Sequence, residues 1–188
     1  MPVPEPGDVL YFSFDDGPSP TWTPRVLDLL GTYHATATFF QIGQEAARAP
    51  DLVDQVRERG HSVGNHTWSH PDLTTLSSED VREQLTRTHD VIGLARCVRP
   101  PMGVTNASVQ EVFTDLGLTE QLWDIDTRDW DHRSAQEIAS AVLSQARSGA
   151  VVLMHDGGGD RSQTVEALTE LLPRLTEAGW QIRGIAGC

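Results

Sequence analysis

Short apolar runs alternate with longer segments of helical periodicity along the 188 residues of the chain. Ala150–Met154 is continuously apolar, as in a strand buried on both faces of a sheet, and Val9–Phe14 is apolar and aromatic up to an Asp-Asp-Gly-Pro turn. The predicted strands are 9–14, 35–42, 62–64, 118–125, 150–154 and 180–185, and a further segment at 98–99 leads into a Pro-Pro turn.

The segments between these runs carry helix-end signals. Thr23 followed by Pro24 is typical of an N-cap and a first helical position, Ser77 and Ser134 begin capping patterns, and Gly179 is typical of a helix end. The predicted helices are one that begins at 23 and those at 45–59, 77–94, 107–116, 134–147 and 162–178.

Strands that alternate with helices predict an α/β fold, in which helical crossovers join parallel strands. About seven strands could close as a small barrel or remain open as a doubly wound sheet, and periodicity does not choose between them. No linker or internal repeat divides residues 1–188, so we expect a single domain.

The composition limits the classes of binding partner that the protein could have. The formal net charge of −13 disfavours nucleic acids and anionic membrane surfaces, and no apolar run approaches the ~18 residues of a membrane span. All fourteen basic residues are arginines, which excludes mechanisms that need a catalytic lysine. We expect a monomer with neither a nucleic-acid nor a membrane partner.

The cysteines and the N-terminal residues are the sequence evidence on localisation. Cys97 and Cys188 match no zinc or redox motif, so they could form a disulfide in an exported protein or remain free thiols in a cytosolic one. The N-terminal residues do not resemble a signal peptide. We expect a secreted or cell-envelope protein if the sequence is that of a trimmed mature domain, and a cytoplasmic protein otherwise.

Polar residues with catalytic potential follow the predicted strands. The carboxyl ends of parallel strands share one edge of a sheet, so side chains distant in sequence should meet there. They are Asp15 and Asp16, His66 and His70, Arg99, Asp126 and Asp129, and His155.

His66 and His70 are four residues apart, and on a helical turn they would lie on one face and share a metal. With one carboxylate of the Asp15-Asp16 pair they make a three-ligand site that leaves a position for water or substrate. A metal at such a site makes bound water acidic and polarises a carbonyl, and the second carboxylate is free to accept the proton of the water.

Five segments together resemble the motifs of the NodB-type polysaccharide deacetylases (carbohydrate esterase family 4), in the order that this family has them. They are Ser13-Phe-Asp-Asp-Gly-Pro18, His66-Thr-Trp-Ser-His70, Arg99-Pro-Pro-Met-Gly103, Asp126-Thr-Arg-Asp-Trp130 and Leu153-Met-His155. The resemblance spans residues 13–155 and implies a distorted (β/α) barrel of about seven strands.

The resemblance also implies a reaction, the removal of N- or O-acetyl groups from a carbohydrate of the chitin, peptidoglycan or acetylxylan type. Asp15 would be the general base, while Asp16, His66 and His70 would ligate a divalent metal. Zinc suits these ligands, and cobalt, nickel or manganese would also fit. Arg99 would neutralise and orient Asp15.

The remaining implied roles concern the oxyanion and the leaving group. The backbone N–H of Met102 would stabilise the oxyanion together with the metal. His155 would protonate the leaving group, oriented by Asp129, because an amine leaves poorly unless it is protonated. Trp130 and Leu153 would wall the acetyl pocket.

Met102 departs from the family pattern, which usually has an aromatic residue there. The backbone N–H survives this change, but stacking on a carbohydrate would be reshaped. An alternative is therefore an amidase of the same fold that acts on a small metabolite. A non-catalytic carbohydrate-binding module would lack a catalytic group, and none is missing. The chain has no G-x-S-x-G motif, which disfavours a serine hydrolase, and no phosphate-binding loop, which disfavours nucleotide binding.

Overall fold

The computed structural model describes residues 2–5 and 7–188. Its strands are β1 (Val9–Asp15), β2 (Thr38–Gln41), β3 (Ser62–Asn65), β4 (Cys97–Val98), β5 (Thr119–Glu120), β6 (Ile125–Asp126), β7 (Val151–His155) and β8 (Gln181–Arg183). Its α-helices are α1 (Thr23–Thr32), α2 (Gly43–Arg48), α3 (Pro50–Glu58), α4 (Ser78–Ile92), α5 (Ala107–Asp115), α6 (Ala135–Gln145) and α7 (Ser162–Ala178). In the described ranges, no helix combines the length and apolarity that crossing a membrane requires.

All strand pairs are parallel, and β1 is the centre of the sheet. Seven strands follow the order β5-β4-β3-β2-β1-β7-β6, and β8 pairs with the first half of β1, where Val9 lies opposite Gln181. Within the described part of the chain, no backbone ladder joins β5 to β6. The predicted α/β fold is confirmed, as a sheet that curls into an incomplete barrel.

The curl is shown by Arg99, which follows β4. Three strand spacings separate β4 from β1, about 14 Å in a flat sheet. The Arg99 guanidinium nevertheless donates from one nitrogen to Ser13 and Asp15 of β1, at 2.8 Å each. The inner face of the sheet must therefore be concave, with Arg99 crossing it.

The alternation of β1 decides what faces each side. Leu10, Phe12 and Phe14 point outward into the main apolar core, which α1 and α7 cover. Ser13 and Asp15 point to the concave side, because successive side chains of a strand alternate. An apolar strand thus carries a buried carboxylate without placing it in the apolar core.

Two predicted elements are each divided. The helix predicted at 45–59 is broken at Ala49, because Pro50 cannot donate a helical hydrogen bond and starts α3 instead. The strand predicted at 118–125 is interrupted where the carbonyls of Gln121 and Leu122 accept hydrogen bonds from Arg99.

The N-cap predicted for α1 differs from the one in the structure. Trp22, and not Thr23, precedes α1 as its N-cap. The Thr23 hydroxyl accepts from the Ser19 backbone and donates to Asp156, so it is engaged outside the helix. The capping box at Ser134 is confirmed, with its side chain and that of Glu137 each accepting from the other's backbone.

Cys97 and Cys188 form a disulfide, with their Cα atoms 5.2 Å apart. The bond joins the C-terminus to β4, two residues before Arg99. Of the two possibilities left open by the sequence, the structure has the disulfide.

Gly64 supports the inner face, because an added Cβ would overlap the ring of Phe40, over which the Arg99 guanidinium lies 4.1 Å away. We predict that Gly64→Ala lowers the free energy of unfolding by about 1–3 kcal/mol through overpacking. Gly31→Ala, in α1 with nothing within 4 Å of the new Cβ, should instead be neutral or stabilise by up to about 1 kcal/mol. Denaturant unfolding of both variants measures the difference, and equal effects would contradict this packing.

Candidate active site

The predicted residues meet at the carboxyl ends of the strands, around a cavity of about 400 Å³. Most of its lining was predicted from the sequence, and Arg99 and Asp129 lie buried behind the wall. The lining residues are Asp15, Asp16, His66, His70, Met102, Trp123, Asp126, Trp130, Leu153 and His155.

The turn after β1 presents Asp16 in an unusual conformation. Its φ of 70° is left-handed, a conformation that Asp tolerates better than most residues. Gly157, in the loop after β7, packs so closely that an added Cβ would overlap the Asp16 carbonyl. The glycines after His155 therefore serve close packing against the Asp16 turn.

Asp16, His66 and His70 form a cluster that can hold a metal. One ligand atom from each lies within 4.8 Å of the others. Asp16 Oδ1 is 3.4 Å from His66 Nε2 and 3.5 Å from His70 Nε2, and it is buried without a hydrogen-bond partner among the described residues. A buried carboxylate oxygen facing two imidazoles fits a divalent cation, which would satisfy all three atoms.

His66 is oriented by its second nitrogen. Its Nδ1 lies 2.7 Å from the Arg99 carbonyl, to which it donates as an N–H, and this leaves Nε2 for the cluster. Such a bond to the far nitrogen fixes the tautomer and ring orientation of a histidine ligand.

The two histidines are not on a helical turn, which corrects the sequence prediction. They lie in an irregular loop, and Thr67 and His70 have φ values of 67° and 58°. Asn65 accepts from the Thr67 backbone and the Thr67 hydroxyl accepts from that of His70. These side-chain bonds give the tight turn that brings both imidazoles to Asp16.

The electrostatics of the cluster favour positive charge. Burial would raise the pKa of Asp16, but the adjacent His66 and the charges of His155 and His70 hold it well below its usual range. Burial would lower the pKa of His66, but the charges of Asp15 and Asp16 raise it. The pKa of His70 is lowered by burial and by the charge of His66. A metal cation would supply the positive charge that a proton on His66 supplies without it.

Arg99 is fully buried and holds Asp15. One nitrogen donates to Asp15 Oδ1 at 2.8 Å, and the other two donate to the backbone carbonyls of Gln121 and Leu122. The pairing leaves Asp15 Oδ2 on the cluster side, 3.8 Å from His66 Nε2.

His155, in the same cavity, is held by Asp129. Its backbone N–H and its Nδ1 each donate to an oxygen of Asp129, at 2.8 and 2.7 Å. Thr164 donates to the same carboxylate at 2.8 Å. Burial would lower the pKa of His155, but the bond to Asp129 and its charge raise it, so the ring is suited to donate a proton.

The turn at residue 102 lies at the mouth of the cavity. Met102 has a left-handed φ of 57° and is 56% exposed. Gly103, with a φ of 69°, packs against Trp123, whose ring would lie 2.7 Å from an added Cβ. Trp123 thus supports this turn from below and also lines the cavity.

Two residues were missed by the sequence interpretation. Trp123 carried no signal except its position three residues before Asp126. Asp156 is fully buried, with one oxygen bound by Thr23 and the other without a partner among the described residues. Burial raises the pKa of Asp156 to about 7. Only its position beside His155 pointed to it.

The fold and this constellation define a class of protein, and comparison with known sequences gives the same class. The sequence model of the family described as polysaccharide deacetylase matches residues 3–121. The chain therefore belongs to the polysaccharide deacetylase family and is an enzyme of that hydrolase class, as the five motifs predicted.

Individual relatives match over almost the whole chain. A peptidoglycan-N-acetylglucosamine deacetylase of Bacillus cereus is 41% identical over 185 residues, covering 95% of this chain and 87% of the relative. A chitooligosaccharide deacetylase of Sinorhizobium fredii is 37% identical over 192 residues, covering 94% and 89%. The structure of a family 4 carbohydrate esterase from Streptomyces lividans in complex with acetate has a TM-score of 0.88 at 34% identity, covering 95% of this chain and 93% of that one.

The cluster predicts that the protein binds one divalent metal ion per chain, which calorimetric titration with zinc would measure. Asp16→Ala removes one of three ligands and should weaken binding by roughly 100-fold or more. Asp126→Ala is the matched control, because Asp126 lines the same cavity outside the cluster. Equal zinc affinity of Asp16→Ala and wild type would rule out this ligand set.

Proposed function

We propose that the protein is a metal-dependent deacetylase that hydrolyses the acetyl amide of an N-acetylated sugar in a polysaccharide. One observation carries the proposal: a cluster that could hold a metal lines one cavity together with a carboxylate paired with arginine and a histidine paired with a carboxylate. The deacetylase names of its relatives support the reaction and the carbohydrate class.

When bound, a divalent metal, which we propose to be zinc, polarises the acetyl carbonyl and makes a water molecule acidic near neutral pH. Asp16, His66 and His70 would hold it. The chain then has to supply only a residue that accepts one proton and a residue that donates another.

Asp15 is assigned the role of general base. Arg99 holds its Oδ1, which fixes the carboxylate and compensates its charge in a buried place. Its Oδ2 lies beside the metal cluster and is available to accept the proton of the attacking water.

His155 is assigned the role of general acid. Asp129 binds its Nδ1, so the proton to be transferred is on Nε2, which the ring directs to the cavity. The raised pKa of His155 keeps that proton near neutral pH. Protonation of the sugar nitrogen lets the amine leave as the tetrahedral intermediate collapses.

The acetyl group would lie against Leu153 and Trp130, which line the cavity as apolar walls. Trp130 is 50% exposed and offers a ring face at the mouth. The N–H of Met102 is assigned to the oxyanion, since backbone donors fixed in place stabilise charge that develops on the carbonyl oxygen.

We further propose that the protein works outside the reducing cytoplasm, in the cell envelope or beyond it. The Cys97–Cys188 disulfide supports this location, because such bonds persist in oxidising compartments.

The proposed reaction predicts acetate release from N-acetylglucosamine oligomers or peptidoglycan fragments, lost with chelator and restored by zinc. Asp15→Asn should still bind zinc but lower kcat by about 100-fold or more. A panel that adds acetylxylan and small acetylated amides tests the substrate class. If zinc-loaded protein released acetate only from small amides, the polysaccharide assignment would fail.

The His155–Asp129 pair predicts a pH profile. The acid form is required, so kcat should fall as pH rises through the pKa of His155, which Asp129 raises. Asp129→Asn removes the charge and lowers that pKa, so the alkaline limb should move to lower pH. Asp126→Asn, in the same cavity, should leave the limb in place. An unmoved limb in Asp129→Asn would remove His155 from the role of acid.

A further inference from the structure

A second cavity, of about 310 Å³, adjoins the active site and shares Trp130 with it. Its walls are residues 129, 130, 132 and 133, before α6, and residues 158–163, which lead into α7. Its lining residues Asp129 and Trp130 have roles in the proposed reaction, but none of those roles places a part of the substrate in this cavity. Its lining includes two arginines, Arg133 and Arg161.

These two arginines differ from the others in the chain. In the described ranges, most arginines pair with a carboxylate within 4.0 Å, namely Arg48, Arg59, Arg82, Arg87, Arg99, Arg128, Arg147 and Arg174. Those without such a pair are Arg25, Arg57, Arg96 and Arg183, which are exposed, and Arg133 and Arg161, which are not. Both of the sheltered, unpaired guanidinium groups therefore line one cavity.

Arg161 is only 7% exposed. Its Nε donates to the Gly157 carbonyl at 2.6 Å, but its two terminal nitrogens donate to no acceptor among residues 2–5 and 7–188. Arg133 has one long bond, from a terminal nitrogen to the Thr127 carbonyl at 3.4 Å. Terminal nitrogens of both guanidinium groups are thus left free to donate to an anion, and the planar fork of arginine matches a carboxylate.

The carboxylates of the cavity do not fill this role. Asp129 already accepts from the backbone and ring of His155 and from Thr164. Asp160 is exposed, and its Oδ1 accepts from the Ser162 backbone. Neither lies within 4.0 Å of a guanidinium nitrogen of Arg133 or Arg161. The first turns of α6 and α7 add the positive ends of two helices.

We propose that Arg133 and Arg161 form a subsite for a carboxylate group of the glycan. The proposal rests on the proposed deacetylation, because Trp130 belongs to both cavities. A sugar held against Trp130 with its acetyl group in the active site would place a neighbouring substituent in the second cavity. The enzyme would then prefer an N-acetylated glycan that carries a carboxylate over a neutral one, although its own net charge is −13.

The test compares two substrates that differ only in this charge. One is a tetrasaccharide that contains N-acetylmuramic acid with a free lactyl carboxylate, and the other is its methyl ester. Wild-type protein with zinc should show a kcat/KM for the acid about tenfold or more above that for the ester, as charge-assisted hydrogen bonds lead us to expect. The ratio should fall as salt concentration rises.

Arg133→Gln and Arg161→Gln should each bring the ratio towards one, mainly through KM, because the contact is made in ground and transition states alike. Arg96→Gln removes the same charge from an exposed, unpaired arginine and should leave the ratio unchanged. Because Arg161 also holds a backbone carbonyl, thermal unfolding checks that its variant folds. Arg133→Gln tests the subsite independently.

The outcomes separate the subsite from the reaction. Equal kcat/KM for acid and ester in wild-type protein, or a preference that both arginine variants keep, would overturn the subsite and leave the deacetylase proposal intact. If no oligosaccharide released acetate, the reaction would fail instead. Calorimetric binding of acid and ester to wild-type protein and Arg133→Gln would then decide the subsite, which requires tighter binding of the acid that the variant loses.

Discussion

The buried Arg99–Asp15 pair is the interaction on which the rest of the site depends. A guanidinium at 0% exposure is tolerable only with its charge paired and its donors satisfied. Here the acceptors come from β1 and from the segment after β5, which meet only if the sheet curls. The same residue's carbonyl orients His66. One side chain and its backbone thus couple the barrel, the proposed base and the metal cluster.

The second pair, His155–Asp129, inverts that arrangement. In the proposed reaction, a fixed cation beside Asp15 supports a carboxylate that accepts a proton, whereas a fixed carboxylate beside His155 supports an imidazole that donates one. Opposed partners of this kind let one cavity perform acid and base chemistry at the same pH. Both partners are buried behind the wall, so neither competes for the substrate.

The strands and the gathering of residues at their ends could be predicted, because apolar runs and parallel topology act through general rules. The geometry of the loop that carries His66 and His70 could not be predicted. The spacing of the histidines suggested a helix. The structure has a turn instead, formed by left-handed backbone conformations and by hydrogen bonds of the Asn65 and Thr67 side chains. The break in β5–β6 and the burial of Asp156 depend on contacts from Arg99 and Thr23 that are distant in sequence. Pro50, by contrast, was a local signal that the periodicity of 45–59 obscured.

In the proposed reaction the candidate metal cluster and both pairs act only on the acetyl group, so recognition of the glycan has to come from the rim of the cavity. At the rim Met102 replaces an aromatic side chain, and the ring faces that remain are Trp123 and Trp130. Stacking on a ring is tolerant of sugar identity, because it uses the apolar face that most sugars share. Discrimination therefore has to come from polar groups next to a ring. Arg133 and Arg161 lie beside Trp130 without carboxylate partners, which makes charge on the glycan the feature this rim is best suited to select.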